Sequence, residues 1–382
     1  MSPSPASADP LATPAGASER VGSIDALRGF DMFWIMGGDL LAKAVLAKAE
    51  SIEGARSFSE NLALQFDHEP WEGFRFYDLI YPLFLFLVGC VIPYSLSKVC
   101  DQPAQVYTRI IRRSLLLVFL GMVNNRLFQF QWDEMRWTGV LQRIGVCYGA
   151  AAVIWLHTRA KTQAVIFAAI LLGYWAILAW IPAPGGVAGD LSIERNLGGY
   201  IDRNFLPGHI MREYYGFGDN EGILSTLPAV ATALLGVLTG TWLRSAHSPI
   251  RKFGGMLLAG AICLPLGYGW GQLFPIIKNL WTSSYVLVAG GWSLLLLGAF
   301  YLVIDVWRIR RWAWPFVVIG LNAVTIYVAS EFIKFEEISR FFFGGLMSLR
   351  ADLAPAILYS GSLTAQWLFL WFLYRHKVFL RV

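Results

Sequence analysis

Residues 77–97, YDLIYPLFLFLVGCVIPYSLS, contain one acidic residue, Asp78, and no basic residue. About 20 consecutive apolar residues are needed for a helix to cross the hydrocarbon layer of a bilayer, and this stretch has that length. The segment before it, FDHEPWEGFRF at residues 66–76, is rich in ionisable groups and holds the first histidine, His68. The sequence therefore places a histidine flanked by carboxylates at the mouth of a predicted membrane span.

Composition extends this pattern to the whole chain. Of 382 residues, 56% are hydrophobic and 15% are charged, against about 25% charged in soluble domains. We predict an all-α polytopic membrane protein with about ten transmembrane helices, in residues 21–382. Residues 1–20, rich in Pro, Ala and Ser, are interpreted as a disordered tail. The predicted spans are 26–47, 77–97, 110–124, 138–157, 163–181, 224–243, 255–274, 284–304, 313–333 and 355–374.

The basic residues fall in alternate, short loops that contain almost no acids. These residues are Lys98, Arg109, Arg112 and Arg113, then Arg159 and Lys161, then Arg244, Arg251 and Lys252, then Arg308, Arg310 and Arg311, and finally Arg375, Lys377 and Arg381. The other loops, such as 48–76 and 182–223, are longer and mixed in charge. By the positive-inside rule, the basic loops and both termini are cytoplasmic, and His68 lies on the outer face. The net charge of +5 thus reflects topology, and we expect no nucleic acid partner.

Ionisable residues inside spans cost about 2.5–3.5 kcal/mol at a helix centre, so each needs an explanation. Arg28 can pair with Asp25 or Asp31. Asp78 begins its span, where a carboxylate can cap the free N–H groups. Asp39 lies about a dozen residues into the first span, where we expect no capping role and favour a functional or buried-pair role.

Most of the polar residues at membrane depth map to the outer half of the bundle. They are Asp39, His68, Asp78, Arg143, Lys278, Asn279 and Glu331, and Asn322 is a further polar residue within a span. On the other side, Arg109, Arg112 and Arg113, with Arg28 nearby, either report topology alone or also hold an anionic ligand, because arginine matches phosphate geometry. Histidine exchanges protons near neutral pH, which makes His68 the candidate general base.

Two further patterns are interpreted as structural. The cysteines Cys90, Cys100, Cys147 and Cys263 have no metal-ligand spacing, so we predict neither a disulfide framework nor a metal site. The glycines of Gly236-Val-Leu-Thr-Gly240 and Gly145-Val-Cys-Tyr-Gly149 predict close helix packing in lipid.

Several segments together resemble the heparan-α-glucosaminide N-acetyltransferase family. They are Ser23-Ile-Asp-Ala-Leu-Arg-Gly29, His68-Glu-Pro-Trp-Glu-Gly73, Tyr77-Asp-Leu-Ile-Tyr-Pro82, Gly139-Val-Leu-Gln-Arg-Ile-Gly145, Glu221-Gly-Ile-Leu-Ser-Thr226, Lys278-Asn-Leu-Trp281 and Gly320-Leu-Asn322. The resemblance implies transfer of acetyl from cytosolic acetyl-CoA, across the membrane, to the amine of glucosamine. It places the active histidine at His68, and Asp39 stands where the lysosomal enzymes have an asparagine. It also implies a homodimer, and we expect a bacterial inner-membrane member without the luminal domain.

On this reading His68 accepts the amine proton or carries the acetyl group, with Asp39 or Asp78 orienting the imidazole. Arg143, Lys278, Asn279, Asn322 and Glu331 are the candidates for substrate or oxyanion contacts, and Arg28, Arg109, Arg112 and Arg113 for holding acetyl-CoA. Two alternative functions are compatible with the same predicted membrane architecture. One is a transporter of amino sugars or small glycans, for which Gly267-Tyr-Gly-Trp-Gly271 could break the seventh span. The other is an O-acyltransferase of an envelope polysaccharide.

Overall fold

A computed structural model describes residues 21–49, 56–211 and 216–380. Within these ranges the chain forms α-helices joined by loops and short 3₁₀ or π turns, without a strand. The helices are α1 (Gly22–Phe33), α2 (Asp39–Ala49), α3 (Arg56–Leu64), α4 (Ile80–Leu96), α5 (Pro103–Asn124), α6 (Val140–His157), α7 (Ala160–Trp180), α8 (Leu197–Phe205), α9 (Thr226–Arg244), α10 (Pro249–Trp270), α11 (Ser283–Tyr301), α12 (Trp314–Leu321), α13 (Ala323–Phe332), α14 (Phe335–Leu349) and α15 (Ala354–Arg375). The predicted tail at residues 1–20 lies outside the described ranges.

The all-helical, polytopic character is confirmed, whereas ten spans are not. In the described part of the chain, seven helices are long and apolar enough to cross a bilayer. They are Phe76–Leu96, Val140–His157, Ala160–Trp180, Thr226–Arg244, Pro249–Trp270, Ser283–Val306 and Ala351–Arg375. The segments Arg311–Leu321 and Ala323–Phe332 make an eighth if counted together, although the chain bends by 61° between them.

Two of the predicted spans are not single apolar helices in the structure, and each has an identifiable reason. The segment 26–47 is interrupted by a π turn at Trp34–Gly38, where Gly37 has φ +113°, a conformation that glycine adopts without a steric penalty. The segment 110–124 belongs to the longer helix α5, in which Arg109, Arg112 and Arg113 lie within the helix and not in a loop. Their charge lowers its mean hydropathy below that of a typical span.

Two other segments also differ from the sequence-based interpretation. The proposed break at Gly267-Tyr-Gly-Trp-Gly271 is wrong, because α10 continues through it to Trp270. Between the predicted ninth and tenth spans, residues 335–349 form the amphipathic helix α14, which packs on α15.

The described residues divide into two compact units. Unit one contains residues 21–41, 248–254 and 296–380. Its helices α1 and α12 approach closely at glycines: a Cβ on Gly29 would lie 1.7 Å from the Phe316 carbonyl oxygen, and one on Gly320 would lie 2.0 Å from that of Asp25. In α1, the Arg28 guanidinium pairs with Asp25 at 3.0 Å, which confirms the first of its two predicted partners.

Unit two contains residues 42–49, 56–211, 216–247 and 255–295, and its core is the packing of α4 against α9. A Cβ on Gly236 would lie 2.0 Å from the Phe86 carbonyl oxygen, and one on Gly240 would lie 2.2 Å from that of Cys90. Helices α5 and α6 pack through Gly145, whose Cβ would lie 2.8 Å from the Ser114 carbonyl oxygen. The predicted role of these glycines in close packing is confirmed.

The helices of unit two define two opposite ends. Asp78 directly precedes α4, and Arg143 lies in the first turn of α6. At the other end, Tyr107 near the start of α5 contacts His157 at the end of α6, with 2.6 Å between Oη and Nε2. Since a helix rises about 1.5 Å per residue, the length of α6 separates Arg143 from His157 by about 20 Å.

Candidate active site

His68 lies in the loop between α3 and α4, and this loop is fixed by a second loop between α10 and α11. The Gly73 amide donates to the Ile276 carbonyl oxygen at 2.8 Å, and Glu72 and Ile277 form an isolated antiparallel bridge. Gly73 has φ +134°, a conformation that disfavours residues with a side chain. The two loops together bring His68 beside Lys278, 210 residues further along the chain.

Asp78 is the carboxylate that contacts this histidine. Its side chain is fully buried, and its Oδ1 lies 2.9 Å from His68 Nδ1. Its Oδ2 accepts the backbone N–H groups of Glu69 at 3.1 Å and Arg75 at 3.0 Å. The same carboxylate therefore contacts both the backbone N–H groups of the turn that begins the span and the imidazole of His68.

Lys278 completes a compact group of three ionisable side chains. Its Nζ lies 3.4 Å from Asp78 Oδ1, and 2.7 Å and 3.0 Å from the Nδ1 and Nε2 atoms of His68. Only 13% of its side chain is exposed. Burial lowers the pKa of Lys278 below its ordinary value, and the carboxylates of Asp78 and Glu221 oppose that shift by raising it.

The imidazole itself is accessible, with 51% of its side chain exposed. One side of the ring packs on Tyr77, at 4.8 Å between ring centroids. In the tautomer with its proton on Nδ1, the ring donates to Asp78 and Nε2 is the basic atom, the arrangement by which an aspartate orients a catalytic histidine. The group can therefore accept a proton from, or attack, a molecule that approaches from the exposed side.

Arg143 lies in the protein interior behind this group. The Tyr285 hydroxyl donates to the Asp78 carbonyl oxygen at 2.8 Å, Trp281 packs on Tyr285 at 5.2 Å between centroids, and the Arg143 guanidinium lies 5.1 Å from the Trp281 ring centroid. Arg143 also donates to the Gly222 carbonyl oxygen at 3.3 Å and is only 3% exposed. A substrate could reach this guanidinium only if neighbouring groups moved.

A buried ion-pair cluster adjoins the site, and sequence reasoning did not identify it. The Arg136 guanidinium binds Asp219 Oδ1 at 2.6 Å and Oδ2 at 2.8 Å, and also pairs with Glu221. Burial lowers the pKa of Arg136, but the two carboxylates together outweigh burial and raise that pKa above its ordinary value. The nearby Asp202 accepts the N–H groups of Asp219 and Ile223 at 3.2 Å and 2.9 Å, and burial raises its pKa to about 6. These contacts fix the long loop between α7 and α9.

The other residues predicted from the sequence to contact substrate or orient the base differ in position and burial. Asn279 is half-buried next to Lys278. In unit one, Asn322 is buried at the bend between α12 and α13, while Glu331 is exposed near the end of α13. Asp39 is buried and begins α2 directly after the π turn.

The three arginines of α5 lie at the end of unit two opposite His68. Their spacing places them on one helix face. Arg109 and Arg112 are exposed, and the Arg113 guanidinium lies 4.4 Å from the Tyr148 ring centroid. Arg28 lies in unit one, where it also donates to the Gly320 carbonyl oxygen at 3.4 Å.

Fold and site together define a polytopic helical membrane protein with an accessible histidine held by a buried aspartate and a lysine. Comparison with known proteins gives two curated relatives, each named heparan-alpha-glucosaminide N-acetyltransferase. The chain is 27% identical to the human protein over 83% of its own length and 56% of that protein. It is 26% identical to the mouse protein over 87% and 57% of the respective lengths. This similarity over more than four fifths of the chain supports membership of the heparan-alpha-glucosaminide N-acetyltransferase family.

The chain spans little more than half the length of these relatives. No family model matches it.

Proposed function

We propose that this protein transfers an acetyl group from cytosolic acetyl-CoA to the amine of glucosamine, or of a glucosamine-ended glycan, on the outer side of the membrane. The observation that carries the proposal is the 2.9 Å contact between His68 Nδ1 and the buried Asp78 carboxylate, on a histidine whose ring is open on one side. The names of the two relatives supply the reaction and the type of acceptor.

In the direct form of the reaction, the free amine attacks the thioester carbonyl carbon. His68 Nε2 accepts the proton from the amine nitrogen, the C–S bond breaks, and the proton passes to the departing CoA thiolate. A positioned general base contributes about 10²- to 10⁴-fold to such a reaction. Asp78 holds the imidazole in the tautomer that leaves Nε2 unprotonated.

The tetrahedral intermediate needs a donor for its developing negative charge. We assign this role first to Lys278, whose ammonium group lies within 3.0 Å of His68 Nε2, because a fixed cation in a poorly solvated site stabilises an oxyanion strongly. Asn279, Arg143, Asn322 and Glu331 are secondary candidates for substrate contacts. Asp39 remains a candidate for orienting the acyl group or the base.

The proposal assigns the acetyl-CoA phosphates to the arginine face of α5, formed by Arg109, Arg112 and Arg113, with Arg28 as a further candidate. The face lies at the end of unit two opposite His68, which suits a donor that enters from one side of a membrane and an acceptor that binds on the other. Replacing Arg109 and Arg112 with glutamine should weaken acetyl-CoA binding, measured by calorimetry in detergent. If the affinity for acetyl-CoA were unchanged, these arginines would only help to set the membrane topology.

In a second form of the reaction, His68 Nε2 attacks the thioester carbonyl carbon, the C–S bond breaks and CoA leaves as the thiolate. The amine then attacks the acetyl carbon, the bond to Nε2 breaks, and the amine proton passes to the released Nε2 and on to the CoA thiolate. Labelled acetyl-CoA without sugar should then leave one acetyl group on the protein, and the label should disappear in His68→Ala. If the kinetics indicated a ternary complex and no acetyl label remained on the protein, the direct form of the reaction would be supported.

The His68→Ala variant tests the proposal at the residue that carries it. We expect loss of transfer, with expression and acetyl-CoA binding retained, because His68 lies at the end opposite the proposed CoA site. His247→Ala is the matched control, since His247 packs on Trp242 outside the His68 group. Turnover retained in His68→Ala would remove His68 from the mechanism.

We further propose ten membrane spans, both termini in the cytoplasm, a multi-pass location in a bacterial inner membrane, and a homodimer. An O-acyltransferase would use the same His68 chemistry on a hydroxyl group, so an acceptor screen with labelled acetyl-CoA separates the two.

One observation favours a transporter as the second candidate function. The 61° bend between α12 and α13, with Asn322 buried at the bend, resembles the discontinuous helices that form substrate sites in transporters. A transporter needs two compartments, whereas acetyl transfer proceeds in detergent.

A further inference from the structure

The loop between α5 and α6 exposes a surface of aromatic and acidic side chains. We call residues 127–137 the aromatic loop, and its tip, FQFQWDE at 128–134, is exposed throughout. Phe128 and Phe130 are 64% and 67% exposed, and Trp132 is 45% exposed. Asp133 and Glu134 directly follow these rings.

The rings are held in a fixed arrangement. Trp132 stacks on Trp137, at 6.0 Å between centroids, and meets Phe130 edge-on at 5.8 Å. The Trp137 indole N–H donates to the Trp132 carbonyl oxygen at 3.3 Å. Phe130 has φ +55°, a left-handed conformation that is uncommon for bulky residues and is maintained only when the surroundings impose it.

The base of the aromatic loop is tied to the candidate active site. The Asn125 side chain donates to the carbonyl oxygens of Arg136 and Thr138, each at 2.6 Å. Arg136 pairs with Glu221, whose carboxylate raises the pKa of Lys278, and the loop directly precedes α6, whose first turn holds Arg143. The tip therefore projects from the same end of unit two as His68.

The chemistry of the tip matches an amino sugar. A pyranose ring has an apolar face of C–H groups that can pack on an aromatic ring, and a glucosamine ammonium group can be held by a carboxylate and by the face of tryptophan. Gln129 and Gln131 add amide groups for sugar hydroxyls. A loop that rests on an anionic membrane would instead combine its rings with lysine or arginine, whereas Asp133 and Glu134 would be repelled.

We propose that the tip of the aromatic loop binds a glucosamine unit of the acceptor glycan, next to the unit that is acetylated at His68. This inference rests on the proposed function for the identity of the acceptor. It predicts that the protein prefers a short glucosamine oligomer to the free sugar.

The test compares glucosamine with a β-1,4-linked glucosamine tetramer as acceptors for the detergent-solubilised protein. In Trp132→Ala, and in the double variant Asp133→Asn/Glu134→Gln, KM for the tetramer should rise about twofold to fivefold, the range expected for exposed cation–π and ion-pair contacts. The KM for glucosamine should change much less. Trp180→Ala is the control, because Trp180 is exposed at the end of α7 and lies outside the aromatic loop.

A direct measurement of tetramer binding, without acetyl-CoA, separates this inference from the proposed reaction. Tetramer binding that Trp132→Ala weakens, in a protein without turnover, would support the loop and contradict the acetyltransferase. Turnover with tetramer KM and Kd identical in wild type and variants would overturn the loop proposal. A wild-type protein that does not bind the tetramer would also overturn it.

Discussion

At the scale of single residues, the sequence identified His68 but left its partner open between Asp39 and Asp78. Histidine at the mouth of a span is conspicuous because ionisable groups near the membrane are costly. The partner can be chosen only from interatomic distances. The Oδ1 atom of the buried Asp78 lies 2.9 Å from His68 Nδ1, which favours Asp78. The assignment of Lys278 to the same group also needed the structure, because the contact joins loops 210 residues apart.

Asp78→Asn tests the orienting role. Its amide N–H₂ would face His68 Nδ1 while its oxygen keeps the backbone N–H groups of Glu69 and Arg75, so Nδ1 would become the acceptor and Nε2 would carry the proton. We expect kcat to fall by about 10²- to 10⁴-fold with little change in thermal stability. Asp67→Asn is the control, because Asp67 is on the same loop but pairs with Lys43 at 2.6 Å; equal losses in both variants would contradict the assignment.

Lys278 gives the site a predicted alkaline limit. A cationic oxyanion donor is fully present below its pKa in the folded protein and is lost as the pH rises through it. Because burial lowers the pKa of Lys278, activity should decline below the ordinary lysine value of about 10.4. Arginine stays protonated throughout, so Lys278→Arg should retain part of kcat and extend the pH–rate profile to higher pH. If the alkaline limb of the pH–rate profile did not move in Lys278→Arg, the role of Lys278 as oxyanion donor would be contradicted.

At the scale of helices, glycine spacing predicted close packing correctly, because a missing Cβ is the requirement for it. Other features of the helices could not be predicted from the hydropathy of the sequence. The break between α1 and α2 arises at a single positive-φ residue, Gly37, and α14 is amphipathic, so an average over its sequence hides its helical character. The arginines of α5 likewise reduced the apolar length of that helix.

Gly236→Leu tests the contact between α4 and α9. Its side chain would meet the backbone of Phe86, since a Cβ alone lies 2.0 Å from that carbonyl oxygen. Overpacking typically costs about 1–3 kcal/mol or more, and α4 follows directly from Asp78, so both melting temperature and activity should fall. Gly173→Leu in α7 is the matched control, because a Cβ there would meet no heavy atom within 4 Å beyond its chain neighbours and its own helix backbone. A similar melting temperature in both variants would refute the packing account.

At the scale of the whole molecule, charge distribution predicted two faces for the bundle, and unit two carries His68 and the arginine face at opposite ends. What sequence could not provide was the cluster of Arg136, Asp219 and Glu221, because its ion pairs join residues more than 80 positions apart. Composition predicts where charges lie relative to lipid; it does not predict which of them pair across loops.

The native cysteines test the orientation. Cys100 is exposed, whereas Cys90 and Cys147 are buried, and Cys100 lies in the loop between α4 and α5 at the arginine end. A membrane-impermeant maleimide should label it in inside-out vesicles and not in right-side-out vesicles. A cysteine introduced by Asp67→Cys in a Cys100→Ser background should show the reverse pattern. The opposite result at both positions would invert the proposed topology.

Acetyl transfer by the purified protein tests the central claim most directly. In detergent, where no two compartments exist, the wild-type protein should convert labelled acetyl-CoA and glucosamine to free CoA and N-acetylglucosamine, with the product detected by mass spectrometry. Accumulation of unmodified sugar in vesicles, together with no acetylated product in detergent, would contradict the acetyltransferase and support a transporter.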